Sequence, residues 1–279
     1  MYSAVAALLV LAGCSYREQI RESPLPKATE VVSRLRARRL SISFRSIVRV
    51  ELESLQEGNS DSHSEGFWAE GRDEFTGKMV LLWKMPSALR IEFLSPFGSP
   101  VFVVVAFENR LRAYSVPDRR FFVGRADSET MAKWLGIPIA PALMIRILRG
   151  DLPALNDGAV AARVGWDQEV NLVRFDLPAG AGLDRRQEAY LDPRRWEPRR
   201  VRIGEEGAAI WIRYGPFVRF GAEHRPLWVE LEDVPRGRRL RLDIGPKGSE
   251  ASGKFPDDLF WLDIPPGAAV FPLLPGAGR

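Results

Sequence analysis

The 279 residues are 46% hydrophobic, 27% charged and 10% aromatic, enough apolar material for one large domain or two small ones and too much for general disorder. One Cys (Cys14) and two His (His63, His224) exclude an intrachain disulfide and a Cys/His zinc cluster. A net charge of +4 is too small a surplus to indicate nucleic acid.

Ala4 to Ala12 is an uncharged apolar run. It is too short for a hydrocarbon core of about 30 Å but suits the apolar part of a secretion signal. It ends in Leu11-Ala12-Gly13-Cys14, which resembles the lipobox of bacterial lipoproteins. That resemblance implies that residues 1–13 are a signal peptide and that Cys14 is acylated as the mature N-terminus. The run lacks the basic start usual in such signals. The plain alternative is a buried N-terminal segment with a chance Leu-Ala-Gly-Cys. Residues 14–26 read as a polar, proline-bearing tether.

Ala28, Val31, Val32 and Leu35 fall on one stripe of a helix predicted over Lys27–Arg39. From Ser41 the period becomes two. Strands are expected around Ile42–Leu52, Phe67–Phe75, Met79–Trp83, Leu89–Phe93, Val101–Phe107, Arg110–Val116 and Phe121–Gly124. Gly58–Gly66 is a polar loop, and Ser95–Pro100 is a strong turn signal. Two helices follow. One is capped by Asp127 and stopped by Gly136; the other is opened by Pro141 and stopped by Gly150.

Strands then return near Ala161–Trp166, Glu169–Leu177, Arg186–Leu191, Arg199–Ile203, Ile210–Tyr214, Leu227–Glu232 and Arg238–Ile244, with one more at Leu259–Ile264. Gly245–Asp258 is polar and expected to be mobile, and residues 265–279 read as a loosely packed Pro/Gly-rich tail. No linker divides residues 27–264. The order is α+β, with helices set against a large antiparallel sheet of about eleven or more strands that curls into a barrel or half-barrel.

Three segments carry a resemblance in the same order: Leu89–Gly98 (LRIEFLSPFG), Trp134–Ile139 (WLGIPI) and Ile145–Pro153 (IRILRGDLP). Together with the lipobox they resemble the LolB-like outer-membrane lipoproteins of the LolA/LolB superfamily over about 65 residues. The resemblance implies an unclosed antiparallel β-barrel whose helices cover an apolar cavity. It further implies a protein held at the periplasmic face of the outer membrane through acyl chains. The cavity would take lipid or lipoprotein acyl chains, received from a LolA-like periplasmic carrier, with no cofactor and no bond made or broken. Ser15 after the cysteine, in place of Asp, leans toward the outer rather than the inner membrane.

Leu89, Ile91, Phe93, Phe102 and Val104 on strands, and Trp134, Leu135, Leu143 and Ile147 on helices, are the candidate cavity wall. An ordinary core uses the same residue types, and both readings stay open. The family's protruding loop with an exposed apolar side chain is placed at Lys84–Ala88, with Met85 as its tip. An anchored structural module with a filled core is the alternative function.

An enzyme is disfavoured: His63 sits in a polar loop, His224 in a turn-like stretch, and no nucleophile motif or phosphate loop occurs. The Arg-rich stretch Arg185–Arg202 and the group Arg236, Arg238, Arg239 and Arg241 read as strand faces of mixed charge, with lipid phosphate or an acidic carrier as the functional alternative.

Overall fold

The computed structural model describes residues 24–38, 43–55, 74–153, 155, 162–179, 185–220, 223–245, 249–250 and 255–273. Cys14, most of the 14–26 tether, the loop around His63 and the greater part of the strand expected over Phe67–Phe75 lie outside them.

Helix α1 (Ala28–Arg36) buries Val31 and Leu35, with Ala28 and Val32 packed alongside, so the expected stripe faces the core. Six strands then run as an antiparallel meander: β1 (Ser43–Ser54), β2 (Glu74–Lys84), β3 (Ala88–Leu94), β4 (Pro100–Phe107), β5 (Arg110–Ser115) and β6 (Arg120–Arg125). The run Met79–Trp83 is not a separate strand but the second half of β2. Within that strand Gly77 leaves room for the Phe75 ring, which lies 2.6 Å from where a Cβ would stand.

Helices α2 (Ser128–Leu135) and α3 (Pro141–Leu148) come next. Asp127 Oδ1 accepts the Thr130 N–H at 2.9 Å, and Gly136 (φ 73°) ends α2 in the left-handed region, as its position in the sequence predicts. A second meander follows: β7 (Arg163–Asp167), β8 (Leu172–Leu177), β9 (Gln187–Leu191), β10 (Pro198–Ile203) and β11 (Ile210–Tyr214). A short hairpin, β12 (Phe217–Phe220) with β13 (Glu223–Pro226), forms its own two-stranded sheet before β14 (Trp228–Asp233) and β15 (Arg238–Asp243).

The two meanders join where β15 pairs with β1, setting Leu242 beside Val50 and Leu240 beside Leu52. The result is one sheet of 14 strands, with β7 at one end and a late strand, β16 (Ala269–Pro272), at the other. β7 and β16 are not neighbours, so the barrel is unclosed. The expected α+β half-barrel is the observed architecture. Its concave face carries the main core, and α1, α2 and α3 supply residues to that core.

The C-terminal region departs from expectation in two ways. Leu259–Ile264 is not a strand: a 3₁₀ turn (Asp257–Phe260) is followed by extended chain. The 265–279 stretch is not loose throughout, since β16 pairs in parallel with β6 and Leu273 is buried.

Residues 255–273 thus form a strap across the outer face of β2–β6. Phe260 is fully buried there with Leu82, Ala88, Val103 and Val105. Basic side chains of that outer face hold the strap by its carbonyls. Lys84 Nζ donates to Phe255 O (3.1 Å), Arg90 Nη1 to Leu259 O (3.1 Å), Arg112 Nη1 to Leu262 O (3.2 Å) and Arg119 Nη2 to Pro266 O (3.0 Å). The Arg112 guanidinium also stacks 3.5 Å over Trp261. This covering explains why β4 is apolar on both faces, a pattern alternation alone could not resolve.

Candidate functional site

The alternation of β3 and β4 turns Leu89, Ile91 and Phe93, and beside them Phe102 and Val104, to the concave side, each at most 4% exposed. Pro141 sets the first turn of α3, which lies over this surface with Met144, Ile145, Ile147 and Leu148 buried and Leu143 half-buried. Trp134 and Leu135 belong to α2, but their side chains lie outside the described residues.

A gap remains between α3 and the sheet. Its floor is Val50 of β1, Met79 and Leu81 of β2, Ile91 and Phe93 of β3, and Leu240 and Leu242 of β15; its roof is Met144 and Leu148. Only apolar side chains line it. Its volume is about 10 Å³. That is roughly room for one water, against about 300–1,000 Å³ for an occupied ligand pocket. The hollow is closed.

Of the wall residues expected from sequence, Ile91 and Phe93 line this gap. Leu89, Phe102, Val104, Leu143 and Ile147 pack in the same core without lining it. Val50, Met79, Leu81, Met144, Leu148, Leu240 and Leu242 were not among those candidates. The alternation of Val48, Val50 and Leu52, and of Leu240 and Leu242, was visible; that β1 and β15 are neighbours was not.

Beyond one end of the gap, outside its lining, the packing turns polar. β2 carries Leu81 in the gap and, two residues on along the same face, Trp83, whose ring packs with Phe44 of β1. The Arg225 guanidinium of β13 lies 3.9 Å over Phe44 and 5.3 Å over Trp83 and donates from Nε and Nη2 to Glu223 Oε2. Burial pushes Arg225 down to about 10, against the pull of Glu223.

Beside it, Arg149 follows the last residue of α3, and Arg38 Nη1 donates to Gly150 O at 2.8 Å. Burial lowers both guanidinium pKa values, opposed chiefly by Asp151. Burial raises the Tyr214 hydroxyl in the same region. Gly150 (φ 74°) is required here, because a Cβ would stand 2.6 Å from the Phe217 ring.

His224 is not in a turn but on β13, with Nδ1 3.3 Å from Glu197 Oε1. The Arg-rich stretch resolves into paired ladders. Glu188 accepts from Tyr190 Oη (2.8 Å) and Arg202 and pairs with Arg174 (2.8 Å); Arg199 pairs with Asp192 at 2.9 Å. Arg236, Arg239 and Arg241 pair with Asp233, Glu53 and Asp243. The mixed-charge reading accounts for these contacts.

Met85 does not project. It is half-buried, packed on the core, and its sulfur receives Arg149 Nη1 at 3.3 Å. The exposed apolar tip lies one turn later: Phe97, in the β3–β4 turn, is 95% exposed.

Three solved structures resemble this architecture. A LolA superfamily protein of Nitrosomonas europaea superposes with a TM-score of 0.52 at 12% identity, over 85% of this chain and 98% of its own. This chain shares the fold of that structure. A domain of Vibrio parahaemolyticus named for outer membrane lipoprotein sorting gives 0.50 at 12% identity, over 83% and 94%. A DUF1329 family protein of Desulfovibrio piger gives 0.56 at 10% identity, over 84% and 95%. No family model matches the chain, and no curated protein matches it. Within the LolA fold the gap lies between the concave sheet and its helical cover, where the LolB resemblance of Leu89–Pro153 implies a cavity.

Proposed function

We propose that this LolA-fold protein is a lipid-anchored envelope protein that binds acyl chains between α3 and the sheet. The observation that carries the reading is the apolar gap under one eight-residue helix on the concave face of this fold. The closed gap does not hold a chain, so α3 must swing outward. Uncovering Met144, Ile145, Ile147 and Leu148 costs about 6–12 kcal/mol, and burying a dozen methylenes against the same surface returns about 10 kcal/mol, so the two terms are of one size. No polar group lines the gap to oppose an alkyl chain.

A second reading, a filled interaction module without ligand, is favoured by the volume of about 10 Å³. The soluble chain lacking residues 1–14 separates the two. Acyl binding predicts uptake of a fluorescent fatty acid, or lipid carried through purification and detected by native mass spectrometry. A folded protein that does neither is the filled module.

Anchoring rests on the Leu11–Cys14 lipobox. Cys14→Ser is expected to move the protein from the membrane pellet to the soluble fraction, read by fractionation and immunoblot; an unchanged distribution removes the anchor.

The LolB resemblance calls for an exposed apolar loop tip, and Phe97 has the exposure that Met85 lacks. Phe97→Ser should leave folding free energy within about 0.5 kcal/mol, since the ring has almost no contacts to lose. It should slow delivery of a bound acyl chain to vesicles. Equal delivery rates would remove Phe97 from that role.

A further inference from the structure

The arginine group beside the gap holds buried guanidinium N–H groups, and near it Glu197 holds two buried carboxylate oxygens, that lack hydrogen-bond partners among the described residues. Among the described residues Arg149 has weak or distant partners: the Met85 sulfur at 3.3 Å and Asp151 Oδ2 at 3.8 Å. Asp151 is shared with Arg146, also at 3.8 Å, and its Oδ1 already accepts the Leu152 N–H. Glu223 is taken by Arg225. Arg38 Nη2 and Arg149 Nε are buried N–H groups without an acceptor among the described residues.

Glu197, the remaining carboxylate near Arg38, faces His224 and Arg199 and makes no hydrogen bond to either guanidinium. Buried donors are ordinarily paired, and unpaired ones mark a missing acceptor. Arg149 is adjacent in sequence to Leu148, which roofs the gap, and Arg225 lies over Trp83, on the strand face that carries Leu81.

We infer that Arg38 and Arg149, backed by Arg225, receive the anionic head, a carboxylate or phosphate, of an amphiphile whose chain lies under α3. This rests on the acyl-binding reading and adds polarity and head-group class to it. The chain would enter tail-first toward Ile91 and Phe93, with the head left at the Arg149 end. The guanidinium N–H groups lacking acceptors would then donate to its oxygens. Burial lowers the pKa of all three arginines, and an anion would raise them again.

The test is displacement of dansyl-undecanoic acid from the soluble chain by dodecyl phosphate, dodecanoate and uncharged monododecanoylglycerol, with inorganic phosphate alone as the fourth arm. The two anionic amphiphiles should displace at concentrations at least ten-fold lower than the neutral one, with the advantage shrinking in high salt. Arg149→Gln should reduce that preference, and Arg149→Lys should keep part of it. Should Arg149→Gln fail to fold by circular dichroism, the wild-type ranking and its salt dependence decide alone.

Equal displacement by anionic and neutral amphiphiles overturns the head-group site and leaves acyl binding standing. Inorganic phosphate as effective as dodecyl phosphate shows a free-anion site instead and also overturns it. Failure of every amphiphile to bind removes the acyl reading, and this inference with it.

Discussion

Phe260→Ala is expected to lower the folding free energy by about 3–5 kcal/mol, the range for deleting a fully buried aromatic ring. Phe260 has no exposed surface; it stacks on Phe107 at 6.4 Å and sits among Leu82, Val103 and Val105 on the outer face of the sheet. Urea denaturation should show the loss as a lower midpoint at unchanged slope. Deleting residues 255–279 should be worse. It strips the cover from an apolar face and reopens the β6 edge, which then invites edge-to-edge association visible by light scattering. A dispensable tail would give neither result, so the experiment asks whether the strap is part of the folded domain.

Met144→Ala is the second large effect, and its two outcomes divide the functional readings. Met144 is 1% exposed and roofs the gap, so truncation costs about 2–5 kcal/mol in the absence of ligand. It also enlarges an apolar space whose walls carry no polar group. If acyl chains occupy that space, dodecanoate should raise the Tm of the variant more than that of the wild type. Ligand binding to the folded state adds stability as the logarithm of one plus the ratio of ligand concentration to Kd, and the variant no longer has to expel the methionine. If the interior is simply packed, dodecanoate shifts neither Tm and the variant stays destabilised. Differential scanning calorimetry with and without dodecanoate separates the outcomes.

Periodicity and end signals located most of the elements. The stripe Ala28, Val31, Val32, Leu35, the Asp127 cap with Gly136, and Pro141 with Gly150 mark their helices because capping and backbone chirality act within a few residues. Strand alternation likewise named Leu89, Ile91 and Phe93 as one face. Three misreadings have a common cause. The LolB resemblance sets Met85 on a projecting loop, but it packs on the core and receives Arg149, 64 residues away. The β12–β13 hairpin carries little apolar alternation, because much of its burial comes from Phe44, Trp83 and Gly150 rather than from its own sheet. The strap is rich in Pro and Gly, and it is ordered by basic side chains and an apolar face on strands more than 130 residues earlier.

By itself, then, the sequence determined the helices and their ends, the two-residue alternation, and an α+β half-barrel. Tertiary structure alone decided that β15 lies beside β1, which brings Leu240 and Leu242 to Val50 and makes the floor of the gap. It also decided that the hollow is shut, and that Arg38, Arg149 and Arg225 meet beyond its end. Capping and alternation are settled by neighbours in the chain. Strand order and the closing of a cavity depend on contacts between segments far apart, which no local pattern encodes.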